Sequence, residues 1–212
     1  MRIALFGYGK MGKMIEKVAQ ERGHEIVARI DVDTLEIDFS KMDVAIDFSM
    51  PAAAFKNIAS CFEHGVPVIS GTTGWLDDFD KSVAICEEKE GAFIYASNFS
   101  LGVNVFFELN ERLAKMMEGL VQYHVALEEI HHTQKLDAPS GTAITLAAGI
   151  IKNSNYSEWK LGEANASAIG IQSKRIDAVP GTHTVGYQST VDSIEIKHTA
   201  HNRKGFALGA VI

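Results

Sequence analysis

Residues 3–12 read Ile-Ala-Leu-Phe-Gly-Tyr-Gly-Lys-Met-Gly, and this stretch decides the first half of the fold. Its four apolar residues fit a buried parallel strand, and glycines follow at 7, 9 and 12. Apolar residues then recur at helical spacing up to Gly23, and a second strand over 24–30 ends at Asp31. An acid roughly 20 residues after the last glycine completes a strand, turn, helix and strand pattern that predicts a dinucleotide-binding unit.

Each of the three glycines has a separate physical reason to be there. Gly7 allows a tight turn, Gly9 lets the backbone approach a pyrophosphate, and Gly12 lets helix and strand pack closely. Asp31 can accept hydrogen bonds from the hydroxyls of the adenosine ribose. The side chain of Met11 is expected to pack in the core.

Strands and helices alternate through the first hundred residues. Further strands are expected at 44–48, 66–70 and 93–96, with helices after Ser49 as cap and Pro51 in the first turn, and over 76–90. Five strands alternating with helices predict a parallel, doubly wound α/β sheet. The stretches 71–74 and 97–100 then lie at the sheet edge that binds ligands, although 71–74 alone is equally consistent with a plain turn.

The pattern changes after a long helix over 101–117. Strand-like runs cluster at 121–130, 167–176, 182–189 and 192–199, which favours a smaller α+β domain with a mostly antiparallel or mixed sheet and helices on one face. Residues 153–165 are expected to form a surface loop, and 206–212 to start a terminal helix. The predicted domains are 1–100, rejoined by 206–212, and 101–205.

Residues 128–143 read Glu-Glu-Ile-His-His-Thr-Gln-Lys-Leu-Asp-Ala-Pro-Ser-Gly-Thr-Ala and concentrate charged and polar groups. Ser140 is placed to cap a helix over 143–151, whose free amide groups would attract a carboxylate. His131, His132 and Lys135 lie beside that helix start. Paired histidines are commonly only solvated and such a serine only a cap, but together with a dinucleotide motif they favour a site that binds an acidic molecule and moves protons.

Other chemistries fit less well. Histidines 131, 132, 183, 198 and 201 lack the spacing of a metal signature, so no metal site is predicted. Ser140 is not in a nucleophile elbow. Glu128 and Glu129 alternate along a strand and point to opposite faces, so they form no carboxylate pair.

Composition sets the class of protein. The 212 residues are 46% hydrophobic and 22% charged, which is ordinary for a soluble globular protein. A net charge of −7 argues against nucleic acid as a partner. No apolar run is long enough to cross a membrane, and no secretion signal opens the chain, so a cytoplasmic location with reduced Cys61 and Cys86 is expected.

Several motifs together resemble the dihydrodipicolinate reductase family over nearly the whole chain. The most specific is Glu129-Ile130-His131-His132 through Lys135, followed by Asp137-Ala138-Pro139-Ser140-Gly141-Thr142-Ala143. Further landmarks are Gly71-Thr72-Thr73-Gly74, residues 97–104, Val179-Pro180-Gly181-Thr182 and Phe206-Ala207.

The resemblance implies reduction of 4-hydroxy-tetrahydrodipicolinate, a cyclic dicarboxylate, to tetrahydrodipicolinate with NADH or NADPH in diaminopimelate and lysine biosynthesis. It implies His131 as acid/base residue, Lys135 as proton donor, and His132, Ser140, Gly141 and Thr142 as substrate-binding residues. It also implies a homotetramer joined through the second domain's sheet. The implied cofactor contacts are Gly7, Tyr8, Gly9, Lys10, Met11, Gly12, Asp31, Gly71, Thr72, Thr73, Ala96, Ser97, Asn98 and Phe99.

The chain departs from the family pattern in ways that bear on the cofactor. Its glycine loop is one residue shorter than the common form, and the chain is short after Asp31 and at its C-terminus. Val32 stands where some members carry an arginine for the 2′-phosphate of NADPH, so we predict a preference for NADH. Two alternatives remain open: another NAD(P)-dependent semialdehyde or amino-acid dehydrogenase, and a non-catalytic NAD(P)-sensing regulator.

Overall fold

The computed structural model describes residues 1–163, 167–202 and 204–212. The chain divides into two compact units. The first comprises Met1–Ser100 with Lys204–Ile212, and the second comprises Leu101–Arg203.

The first unit is built on five parallel strands. They are β1 (Arg2–Phe6), β2 (Glu25–Ile30), β3 (Val44–Asp47), β4 (Val68–Ser70) and β5 (Phe93–Tyr95). Their order across the sheet is β2-β1-β3-β4-β5, and every neighbouring pair is parallel. The order therefore reverses beside β1, which is where open sheets of this kind bind ligands.

Four helices cover both faces of this sheet: α1 (Lys10–Glu21), α2 (Pro51–Glu63), α3 (Phe79–Glu88) and α6 (Lys204–Val211). Ile3 and Leu5 of β1 share one apolar cluster with α1 and α6, whereas Ala4 and Phe6 share another with α2. Successive strand residues thus enter opposite cores, which explains the continuous apolar run. The predicted parallel, doubly wound sheet is confirmed.

Two local predictions in this unit were wrong in detail. Residues 76–90 do not form one helix, because a 3₁₀ turn at Leu76–Asp78 precedes α3. Met50 rather than Ser49 is the N-cap of α2, and Pro51 opens the helix as expected. The Ser49 hydroxyl instead donates to Asp47 at 2.6 Å, because the buried carboxylate competes for it.

The second unit begins with α4 (Leu101–Met117) and contains β6 (His124–His131), α5 (Gly141–Ile151), β7 (Glu158–Leu161), β8 (Ala168–Arg175), β9 (Gly181–Gln188) and β10 (Ser193–Ala200). The sheet order is β10-β9-β6-β8-β7. β6, β7 and β8 run parallel, while β9 is antiparallel to β6 and β10. One core joins α4 and α5 to one face of the sheet, so the predicted mixed α+β sheet is confirmed.

The loop predicted over 153–165 was wrong for Glu158–Leu161, which forms the edge strand β7. The sequence Glu-Trp-Lys-Leu is mostly exposed and has no clear strand pattern, and the strand is stabilised by its pairing with β8. Ala164 and Asn165 of that prediction lie outside the described residues. No helix in the described ranges has both the length and the apolar character needed to cross a membrane.

Candidate active site

A cleft of about 490 Å³ lies at the carboxyl edge of the first sheet. The predicted cofactor residues Gly7, Tyr8, Gly9 and Asp31 line it. Val32, which the sequence placed near a 2′-phosphate, also lines it, as do residues that had not been assigned to a site: Thr34, Phe48, Ser49, Lys56 and Asn57. Phe48 and Ser49 follow β3, and Lys56 and Asn57 lie on α2, so their place in the cleft became visible only in the folded unit.

The three glycines of the turn differ in what surrounds them. Gly7 has a φ of +89°, and a Cβ there would lie 2.2 Å from the carbonyl oxygen of Phe48. A Cβ on Gly12 would lie 2.3 Å from the Gly7 carbonyl oxygen. No described atom lies within 4 Å of a Cβ built on Gly9. The tight turn and the close packing are therefore confirmed, while the approach of a pyrophosphate to Gly9 stays a prediction.

The remaining predicted cofactor residues have different surroundings. Lys10 is exposed at the start of α1, and Met11 packs half-buried on the core. Thr73 and Ser97 are exposed, and Gly71, Ala96, Asn98 and Phe99 are half-buried. Thr72 is buried, and its hydroxyl donates to Asp47 at 2.7 Å. Thr72 can therefore offer a ligand only its backbone.

Asp47, the last residue of β3, organises this edge. Its side chain is 1% exposed. The carboxylate accepts hydrogen bonds from the hydroxyls of Ser49, Ser70 and Thr72, at 2.6, 3.0 and 2.7 Å. The Asn57 amide donates at 3.3 Å. One buried carboxylate thus joins β3, the 71–74 turn and α2.

In the second unit, the site forms between the end of β6 and the start of α5. Ser140 is the N-cap of α5, and its hydroxyl accepts from the Ala143 amide at 3.2 Å, as predicted. Gly141 is exposed and Thr142 is half-buried, so the first turn of the helix is open to a ligand. Amide groups at such a helix start favour a negative charge.

The basic residues of the motif lie in and directly after β6. His131 is 8% exposed, and His132 is half-buried. Lys135 Nζ donates to both carboxylate oxygens of Asp137 at 2.7 Å. The exposed contact of Glu128 with Lys174 and the full burial of Glu129 confirm that the two glutamates point to opposite faces.

Glu129 is the centre of this site, a role that the sequence did not predict. Both carboxylate oxygens accept from the Ser140 amide at 3.1 Å, and the Ser173 hydroxyl donates at 2.7 Å. Arg175 donates at 3.2 Å. Two imidazoles complete the surroundings: His131 Nδ1 at 3.4 Å and His183 Nε2 at 3.7 Å.

Strand register explains why these residues meet. Glu129 pairs with Ser173 on β8 and with His183 on β9, and His131 pairs with Arg175. All five side chains project from the same face because paired and alternate residues of a sheet share a face. These residues are present in the sequence, but their meeting depends on which strands pair, which the sequence alone did not predict.

The electrostatic surroundings favour an ionised Glu129 and a neutral His131. Burial alone would raise the pKa of Glu129, but the nearby His183 imidazole and hydrogen bonds from Ser140 and Ser173 outweigh it and hold the pKa below its usual range. Burial, together with the charges of His183, Lys135 and Arg175, lowers the pKa of His131 to about 4 despite the opposing effect of Glu129. His131 is therefore uncharged at neutral pH.

Glu129, His131 and His183 also offer three potential metal-ligand atoms within 4.8 Å of one another. However, the Glu129 carboxylate already accepts hydrogen bonds from Ser140, Ser173 and the cationic Arg175. A metal ion would have to displace these donors and tolerate a guanidinium beside it. The arrangement fits a hydrogen-bonded network better than a metal site, and we keep the prediction that no metal is bound.

Comparison with known proteins covers both units. The family model for the N-terminus of dihydrodipicolinate reductase matches residues 1–99, and the model for its C-terminus matches residues 102–212. A solved dihydrodipicolinate reductase from Paenisporosarcina sp. TG-14, with dipicolinate bound, aligns with a TM-score of 0.77 at 23% identity, covering 99% of this chain and 91% of its own. At this identity the structural likeness shows the fold alone.

Sequence relatives match the full length of the chain. A 4-hydroxy-tetrahydrodipicolinate reductase from Christiangramia forsetii is 60% identical over 215 residues, covering 100% of this chain and 90% of its own. One from Archaeoglobus fulgidus is 36% identical, covering 100% of this chain and 91% of its own. By these matches, the chain belongs to the dihydrodipicolinate reductase family of oxidoreductases.

Proposed function

We propose that this chain reduces 4-hydroxy-tetrahydrodipicolinate to tetrahydrodipicolinate with a reduced nicotinamide dinucleotide, in the diaminopimelate route to lysine. The observation that carries the proposal is the meeting of imidazole, ammonium and an open helix start in one place. Buried Glu129 links that helix start to β6 through the Ser140 amide. A ring with two carboxylates needs such a combination of cations and amide donors.

The net reaction exchanges the 4-hydroxyl of the substrate for hydrogen. It consumes one hydride and one proton and releases one water. When bound, the dinucleotide supplies the hydride, which adds to the ring carbon that is conjugated with the C=N bond once the hydroxyl has left. The chain must hold the carboxylates and deliver the proton.

The roles that we propose follow from the charges in the site. The Lys135 ammonium is the proton donor, because the lowered pKa of His131 leaves a neutral imidazole, a far weaker acid than an ammonium, at neutral pH in the free enzyme. His131 acts as acid/base residue once an anionic substrate beside it raises its pKa. His132, Gly141 and Thr142 bind a substrate carboxylate at the start of α5, whereas buried Ser140, whose amide donates to Glu129 and whose hydroxyl caps the helix, holds that start in place.

The proposed cofactor is NADH in preference to NADPH. Asp31 lies in the cleft of the first unit and is exposed, so its carboxylate would accept from ribose hydroxyls and repel a 2′-phosphate. Val32 is 78% exposed beside it and offers that phosphate no charge. Initial rates with both cofactors test this proposal, and a clear preference for NADPH would contradict it.

We also propose a cytoplasmic homotetramer joined through the second sheet. Helices α4 and α5 cover one face of that sheet, and Ala126 is exposed on the other face, where it pairs with Gly186. Small residues at that point let a second sheet approach closely. Light scattering should give about four times the 23.1 kDa of one chain, and Ala126→Arg should reduce that mass.

The decisive experiment is an absorbance assay at the NADH band. Fresh product of dihydrodipicolinate synthase should cause oxidation of NADH that depends on the chain. Pyridine-2,6-dicarboxylate, a planar mimic of the substrate, should inhibit competitively. NADH binding without oxidation would favour a non-catalytic sensor. Failure of the mimic to bind would favour a semialdehyde or amino-acid dehydrogenase.

A further inference from the structure

Arg175 contacts the segment that carries Lys135 at two points. Its Nε donates to the Lys135 carbonyl oxygen at 3.3 Å, and its terminal Nη2 donates to the Asp137 carbonyl oxygen at 2.6 Å. The same Nη2 donates to Glu129 at 3.2 Å. A single guanidinium therefore joins the segment after β6 to a buried carboxylate within the sheet.

Glu129 holds the other end of that segment. Its carboxylate accepts hydrogen bonds from the backbone amide of Ser140, the last residue before α5. The segment between His131 and Ser140 is thus held near its middle by Arg175 and at its end by Glu129. The two residues also contact each other, so the positions of the ammonium and the helix start are coupled.

The geometry points to Glu129 and Arg175 as a pair of positioning residues, which fix the Lys135 ammonium relative to the start of α5 so that a dicarboxylate meets both. This inference rests on the proposed function and deepens it. Neither residue needs to touch the substrate for the role, because each acts through backbone groups of the segment. A planar guanidinium with several donors suits the task, since it can serve two carbonyl oxygens and a carboxylate at once.

Stability alone is a weaker explanation of the pair. Buried ion pairs stabilise proteins little compared with apolar residues of similar size, because both charges lose their water. The donors here come from two separate segments, the residue before α5 and strand β8, and converge on one carboxylate, which fixes their relative positions.

The test uses Arg175→Lys and Glu129→Gln, which are close to the native residues in size. Lysine keeps the charge but carries its donors on a single nitrogen, which cannot occupy the positions of both Nε and Nη2. Glutamine keeps the shape but loses the charge. Arg112→Gln and Glu108→Gln are matched controls, since these residues form an exposed pair on α4 in the same unit, with Nε to Oε1 at 2.7 Å. We expect kcat/KM for the dicarboxylate to fall about 100-fold in Arg175→Lys and Glu129→Gln, while their KM for NADH stays within twofold of the native value. In the two control variants, both kinetic constants should stay within twofold of the native values.

A double-variant cycle separates positioning from a general loss of structure. If Arg175 acts through Lys135, then Arg175→Lys should reduce kcat strongly in the native chain but little in a Lys135→Ala background. Equal reductions in both backgrounds would overturn the inference, as would kcat/KM within twofold of the native value in both Arg175→Lys and Glu129→Gln.

Binding of pyridine-2,6-dicarboxylate, followed by calorimetry, keeps the inference separate from the proposed reaction. If the native chain binds the mimic but does not oxidise NADH, the proposed function fails. A loss of affinity of tenfold or more in Arg175→Lys and Glu129→Gln, without one in the controls, would then still support the positioning role. Unchanged affinity would overturn it.

Discussion

The two sheets each carry a buried carboxylate near the carboxyl end of a central strand, but the groups around the two differ. Asp47 of the first unit accepts from three hydroxyls and an amide, all of them neutral. Glu129 of the second unit accepts from an amide, a hydroxyl and a guanidinium, with two imidazoles close by. Both carboxylates tie a site segment to a sheet.

The difference matches what each edge is proposed to bind. At the dinucleotide edge, which is the carboxyl edge of the first sheet, the glycine backbone and Asp31 are the groups that we propose for recognition, so the buried carboxylate needs only to arrange loops. At the dicarboxylate edge, where β6 ends and α5 begins, the buried carboxylate also lies beside a guanidinium and two imidazoles. Substitutions around each carboxylate should therefore weaken the binding of a different ligand.

The largest effect is expected at the dicarboxylate edge. Lys135→Ala should lower kcat by roughly 10²- to 10⁴-fold, because it removes the proposed proton donor. NADH affinity, measured by quenching of its fluorescence, should be unchanged, since the lysine belongs to the second unit. His131→Gln should behave similarly. An equal loss of turnover and NADH affinity would instead indicate a folding defect.

Titration of His131 should appear in the stability of the protein. The unfolded histidine binds a proton with a pKa of 6.5, whereas the folded one does so only near 4. Between these pH values the unfolded state therefore binds more protons, and the free energy of unfolding should fall by up to about 3 kcal/mol as the pH drops from 6.5 to 4. Urea unfolding at several pH values measures this.

Two variants test whether His131 causes this pH dependence. His131→Gln should flatten that part of the pH profile, and His201→Gln, at an exposed position, should leave it unchanged. An identical slope in the native chain and His131→Gln would show that other groups cause the pH dependence.

Asp47→Asn should affect the dinucleotide edge alone. The amide cannot accept from all of the surrounding hydroxyls, so the 71–74 turn and Ser49 should shift. We expect NADH affinity to fall on the order of tenfold, while calorimetry with pyridine-2,6-dicarboxylate shows unchanged binding. Weakened binding of both ligands would remove the distinction between the two edges.

The smallest effect concerns the choice of cofactor. Val32→Arg places an exposed cation beside Asp31, where a 2′-phosphate would lie. Exposed charge pairs contribute at most about 1 kcal/mol, so the ratio of kcat/KM for NADPH to that for NADH should rise about threefold to fivefold. Val191→Arg, at a similarly exposed position in the second unit, serves as the control and should leave the ratio unchanged.

The sequence by itself determined the features that depend on neighbours along the chain. The glycine turn after β1, the N-cap at Ser140 and the opposite directions of Glu128 and Glu129 follow from local backbone geometry and from the alternation of a strand. Parallel strands in the first unit followed from the alternation of strands and helices. Local sequence patterns failed to predict the strand at Glu158–Leu161, because such an edge strand is stabilised mainly by its pairing with β8.

Only the tertiary structure decided which residues surround the buried carboxylates. Ser173, Glu129 and His183 lie on three strands that are neighbours in the sheet but far apart in sequence, and a shift of one residue in register would turn each side chain to the other face. The register depends on how the whole apolar face packs against α4 and α5. The sequence therefore indicated Lys135 as the proposed proton donor and located the helix start, while the contacts of Glu129 and Arg175 with this segment emerged from the packing of the sheet.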